Sequence, residues 1–157
     1  MSYKRPNKTK IDTRIQCILN DPEPGVIIQF GAEINKSYEV FIREYKFAQV
    51  LFQDFGKPVI MVAQRIRGKD YLPTPDYIWK GCEWEFKEIT GNISTLDWHM
   101  RRVRKQSFDS FLIVNVLDRS PLFDQLPFET LKKLMVKRGI QKLFIYKNSA
   151  FFKEIAI

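Results

Sequence analysis

The stretch "SYEVFIREYKFAQVLFQDFG" (37–56) limits the possible folds more than any other. Phe41, Tyr45, Ala48, Leu51, Phe52 and Phe55 recur at helical spacing and make one apolar stripe. Ser37 can cap the start of this helix, and Gly56 can end it in a left-handed turn. Arg43, Lys46, Gln53 and Asp54 point away from the stripe. Glu44 is the exception. It lies three residues after Phe41 and four before Ala48, which sets a carboxylate at the stripe's edge, against the core. A helix with one apolar face must bury it on a second layer. The flanking segments supply that layer: "VIIQF" (26–30), after the turn "DPEPG" (21–25), and "KPVIMVAQ" (57–64) both read as strands.

The rest of the chain repeats this alternation. Residues 11–19 suit a short helix or a strand equally, and "RIRGKDYLPTP" (65–75) reads as a polar, turn-rich link. "GNIS" (91–94) makes a turn, Ser94 with Asp97 resembles a capping box, and a helix follows to about 107. "FLIVNVL" (111–117) is a strand of the buried type, with no periodic polar face. "SPLFDQLP" (120–127) is loop, "FETLKKLMVKRG" (128–139) a third helix, and "KLFIYK" (142–147) and "FFKEIAI" (151–157) are closing strands. The expectation is an α/β fold, a mixed central sheet flanked by helices, in a single domain over 11–157. Residues 1–10 form a basic, polar tail.

Composition narrows the class. The 157 residues are 45% apolar and 28% charged, as in globular proteins and unlike disordered ones. No apolar run approaches the roughly 20 residues of a membrane span. "MSYKRPNKTK" lacks the apolar core and cleavage site of a signal peptide, so a soluble protein acting in the cytoplasm is expected. Cys17 and Cys82 lie far apart and read as buried free thiols in a reducing compartment. A single histidine argues against a His-rich zinc site. The net charge of +8 favours polyanions: nucleic acid first, acidic membranes or an acidic partner protein second.

The segment "PTPDYIWKGCEWEFKEI" (73–89) concentrates charge where apolar residues are expected. With Lys80-Gly81 as a two-residue turn it becomes a hairpin, and Asp76 falls opposite Glu85. Alternation puts Tyr77, Trp79, Cys82, Trp84 and Phe86 on one face and Asp76, Glu83, Glu85 and Lys87 on the other. Two carboxylates directly across a strand pair repel. A divalent ion between them would relieve the repulsion, and Mg²⁺ is bound by one or two carboxylates with waters and phosphate oxygens. Lys87 could orient or help deprotonate the attacking water, or stabilise charge on phosphate. The plainer alternative is an exposed sheet face with incidental charges.

Here the residues resemble a known family. "PD" at 75–76 followed by "EFK" at 85–87 is similar to the PD-(D/E)xK signature of the restriction-endonuclease-like nucleases. "EYKFAQVLFQDFGKPVIM" (44–61) resembles that family's first core helix and strand, and "RRVRKQSFDSFLIVNV" (101–116) its next pair. The resemblance covers about 37–117. Within the superfamily, the spacing looks most like the nuclease domains of contact-dependent growth inhibition and related polymorphic toxins. It implies Asp76 and Glu85 as metal ligands, Lys87 as the catalytic lysine, Glu44 as a supporting carboxylate and Gln106 as a further catalytic residue. It also implies Mg²⁺ or Mn²⁺ as cofactor, RNA (tRNA among its forms) or DNA as substrate, and delivery into a target cell. A cognate immunity protein would be the partner, and an acidic one would suit the charge. Glu83 has no role in this pattern and reads as a solvated charge.

On the helix from Ser94, Leu96, Met100 and Val103 form the buried stripe. His99, Arg102 and Gln106 line one flank, where they could meet a phosphate, and Arg101, Arg104 and Lys105 cover the outer surface. His99 reads as a residue at the core boundary rather than as a base. Trp79, Trp84 and Tyr77 read as core, leaving Tyr71 as the aromatic able to stack on a base. The leading expectation is a toxin-type, metal-dependent ribonuclease. A DNA endonuclease of a mobile element or defence system, or a non-catalytic nucleic-acid-binding protein of the same fold, are the alternatives.

Overall fold

Ser37 does cap the long helix in a computed structural model of the chain: its Oγ accepts a hydrogen bond from the Val40 amide at 3.3 Å. Gly56 ends the helix at φ 73°. The structure describes residues 12–29, 37–62, 66–67, 70–71, 75–103, 111–117, 128–148 and 151–157. The expected tail (1–10), the loop at 120–127, and the candidates Arg104, Lys105 and Gln106 lie outside the described residues. The chain divides into two compact units, Met1–Lys80 and Gly81–Ile157.

The first unit holds helix α1 (Thr13–Asn20), strand β1 (Val26–Gln29), helix α2 (Tyr38–Phe55) and strand β2 (Val59–Val62). The short strands β3 (Ile66–Arg67) and β4 (Asp70–Tyr71) follow, then β5 (Tyr77–Trp79). Of the segment left open by its sequence, Thr13 onward is helical, and Asp12 caps the helix: Asp12 Oδ1 accepts from the Arg14 amide at 2.8 Å. β1 and β2 run parallel, with α2 as their crossover, and β5 returns antiparallel beside β2. Phe41, Tyr45, Ala48 and Leu51 are buried on α2, as its periodicity predicts. Phe47 is buried as well, whereas Phe52 and Phe55 are only half-buried, so the stripe is broader at its start than expected. The link at 65–75 is not devoid of structure, since β3 and β4 pair antiparallel in a sheet of their own.

The second unit holds β6 (Cys82–Ile89), α3 (Ile93–Val103), β7 (Phe111–Val116), α4 (Phe128–Arg138), β8 (Lys142–Asn148) and β9 (Phe151–Ala156). β6, β7 and β8 are parallel, joined through α3 and α4, and β9 closes the edge antiparallel. This is a mixed α/β fold, as the alternating pattern predicts. Leu96, Met100 and Val103 of α3 pack with Ile89, Leu112 and Val114 and with Leu131 and Met135 of α4. Each such buried side chain contributes about 1.5–3 kcal/mol. None of the helices among the described residues is long and apolar enough to cross a membrane.

Two expectations need correcting. The cap of α3 is Asn92, whose Oδ1 accepts from the Ser94 amide at 3.0 Å; Ser94 lies inside the helix. Asp97 is no capping-box partner, because the Arg138 guanidinium takes both its oxygens, at 2.6 and 3.0 Å. Cys17 is exposed and Cys82 half-buried, so they are free but not buried thiols. Cys17 sits on the outer side of α1, away from Ile15, the helix's buried residue.

Candidate functional site

The turn at the tip of the charged hairpin forms as its sequence demands. Lys80 and Gly81 both adopt positive φ, 53° and 74°, the signature of a two-residue I′ connection. Tyr77, Trp79 and Trp84 are fully buried, so their aromatic surface serves packing. The side chain of Tyr71 lies outside the described residues.

In the first unit, Glu44 is only 7% exposed. Its backbone carbonyl accepts a hydrogen bond from the Tyr77 hydroxyl at 2.6 Å, which ties α2 to the start of β5. Asp76 immediately precedes β5 and is half-buried.

In the second unit, β6 sets Glu85 and Lys87 on the same face as Ile89, two residues apart each time. Ile89 belongs to the core beneath α3 and α4, so this face is the margin of a core rather than an open sheet surface. Glu85 is 4% exposed, one of two charged or polar residues buried among those described; Glu44 is the other. Lys87 Nζ lies 3.5 Å from Glu85 Oε1. Glu83, expected to be a solvated charge, is half-buried near the hairpin tip.

α3 brings basic and aromatic groups to the same unit. Burial holds the His99 imidazole below its ordinary value of 6.5, and the nearby Lys87 and Arg102 charges push it the same way. His99 is therefore neutral at pH 7. Its Nδ1 is buried and has no hydrogen-bond partner among the described residues. The exposed Arg102 places its guanidinium 4.7 Å above the Trp98 ring. Arg101 is also exposed and leans on Asp97 at 3.4 Å. Trp98 is the residue that reading the sequence missed: it is 51% exposed, beside His99 and Arg102. The signal was available, since two residues beyond Leu96 is about 200° around a helix, opposite the buried stripe.

Lys87 and Glu85 are thus paired on β6, and His99, which feels the Lys87 charge, lies on α3 of the same unit against Trp98, with Arg102 over the indole. A carboxylate for a hard cation, a fixed ammonium and exposed guanidinium groups suit a phosphate-bearing ligand.

The class defined by this fold is mixed α/β, with parallel strands joined by crossover helices. No protein-family model matches the chain, and no curated protein matches it. Among solved structures it is similar to a chain of the "CdiA-CT/CdiI toxin and immunity complex from Burkholderia pseudomallei". The TM-score is 0.53 at 18% identity, over 84% of this chain and 98% of that one. At that identity the likeness is one of fold.

Proposed function

We propose that the chain is a toxin-type, metal-dependent nuclease acting on RNA, with tRNA the first substrate to test. The observation that carries this is the buried Glu85 carboxylate with Lys87 Nζ 3.5 Å away, next to a basic helix. Burying the Glu85 carboxylate beside the half-buried Lys87 is weak as a source of stability, because desolvation offsets most of the attraction. Its placement therefore favours a chemical role.

The donor chemistry fits Mg²⁺ or Mn²⁺. No three His, Cys, Asp or Glu side chains gather into a cluster among the described residues. Magnesium needs only one or two carboxylates, its other positions going to water and phosphate oxygens. Glu85 would hold the ion, and the resemblance adds Asp76, with Glu44 in support. When bound, such an ion supplies positive charge at the phosphate and a more acidic water. Lys87 would donate hydrogen bonds to a phosphate oxygen as charge develops there. Arg101 and Arg102 would hold the flanking backbone. His99, neutral at pH 7, would add a hydrogen-bonding group and no charge. Gln106 and Lys105 enter through the resemblance and their place in the sequence.

The toxin part of the reading draws on the similarity to a chain of a toxin and immunity complex. Of the two kinds of chain such a complex contains, a +8 chain carrying Glu85 and Lys87 suits the toxin. An acidic immunity protein would then complement its charge, and its action would follow delivery into a target cell's cytoplasm.

The test is incubation of the purified protein with total RNA and plasmid DNA, with Mg²⁺, with Mn²⁺ and with EDTA. Wild type should cut RNA in either metal, and EDTA should abolish cutting. Glu85→Gln and Lys87→Ala should each lower the rate at least about 100-fold, the scale of a lost charge-stabilising group. Asp76→Asn and Glu44→Gln should also lower it. Cutting of plasmid alone would move the assignment to a DNA endonuclease. The enzyme reading fails if neither substrate is cut, or if Glu85→Gln and Lys87→Ala cut like wild type; binding without cutting would leave a nucleic-acid-binding protein.

A further inference from the structure

Trp98 is out of place as a packing residue. It is half exposed on a helix whose buried side is already filled by Leu96, Met100 and Val103. An exposed indole normally costs solvation, yet here it is held in a defined setting. The Arg102 guanidinium lies 4.7 Å over the ring. The His99 imidazole meets it edge-on, centroids 5.0 Å apart at 72°. His99 in turn feels the Lys87 charge. Three planar groups, the His99 imidazole, the Trp98 indole and the Arg102 guanidinium, therefore stand against one another on α3, with Trp98 and Arg102 open to solvent.

Flat π surfaces beside fixed cations match one ligand chemistry well: a nucleobase attached to a phosphate chain. Bases stack on indole and guanidinium planes whatever their sequence, while arginines take the phosphates. In a duplex those base faces are already stacked on neighbours, so the platform would engage unpaired bases.

We propose that Trp98 and Arg102 form a stacking platform for an unpaired base of the bound nucleic acid, so that the protein selects single-stranded or looped substrate. This rests on the nucleic-acid reading given above and names its substrate class. His99 is a positioning residue in this arrangement, packed at a steep angle against the indole.

The experiment is an anisotropy titration in EDTA with a fluorescein-labelled, mixed-sequence RNA of about 12 nucleotides, alone and annealed to its complement. EDTA separates binding from cleavage. Trp98→Ala should weaken single-strand binding about 5- to 150-fold and duplex binding less than about twofold. Trp98→Phe, which keeps an aromatic plane, should retain single-strand affinity to within about threefold, whereas Trp98→Leu should behave like the alanine variant. The inference is overturned if Trp98→Ala binds the single strand like wild type, if it loses both RNA forms equally, or if Leu serves as well as Phe. Wild type that binds neither form at low salt overturns the nucleic-acid reading along with it. Wild type that binds, with Trp98 indifferent, overturns this inference alone.

Discussion

Asp97 shows how one side chain can be reassigned by a partner far along the chain. Four residues into its helix it could have served the capping turn, yet Arg138, 41 residues away, takes both its oxygens. The hydrogen bonds from Arg138 hold the Asp97 carboxyl below its ordinary value of 3.8. A carboxyl lowered by folding contributes stability that is present above the unfolded value and is lost as pH falls through the folded one. Asp97→Asn should therefore lower Tm by a few degrees at pH 7. The gap from wild type should narrow steadily as pH falls below about 4. Thermal unfolding followed by circular dichroism at both ends of that range checks it; a gap independent of pH would remove the ion pair as its cause. Glu85 illustrates the opposite case. Its face was readable from strand alternation alone, but its burial was not, because the helix that shields that margin arrives later in the sequence.

At the level of the element, α2 was legible nearly to the residue. Its period, its Ser37 cap and its Gly56 terminator are all local signals, and local signals need no knowledge of the rest of the fold. α3 was legible in its buried stripe but not at its start, where Asn92 and Ser94 offer the same capping chemistry two residues apart. The turn before β1 carries a constraint that its sequence only hinted at. Gly25 adopts φ 86°, and a Cβ there would run into the Phe52 ring. Gly56 also has positive φ, 73°, but open space around it. Gly56→Ala should cost about 1–2 kcal/mol from left-handed strain alone. Gly25→Ala should cost about 1–3 kcal/mol more, because strain and overpacking add. Urea unfolding of the two variants side by side measures the difference; equal losses would mean that Phe52 moves aside freely.

On the scale of the whole molecule, charge is the property that the sequence expresses most directly. The net charge of +8 is a property of the full sequence, and such a charge favours polyanions whatever the local geometry. RNA binding by wild type in EDTA should weaken about tenfold or more between roughly 50 and 200 mM salt. Trp98→Ala should leave the slope of that dependence unchanged, since a stacked base releases no counterions. Anisotropy titrations across the salt series test both statements, and a flat dependence would detach the charge from nucleic-acid binding.

By itself the sequence determined the α/β alternation, the extent of most elements, the positions that α3 buries, and the pairing of Glu85 with Lys87 on one strand face. All of these follow from periodicity and turn chemistry over a few residues. Only the tertiary structure decided which charged groups lose their water and which partner Asp97 takes. Those outcomes depend on what packs over a residue from distant parts of the chain, and no local period encodes that. The segment that looked too charged for a strand buries Tyr77, Trp79 and Trp84, and with them the carboxylate of Glu85.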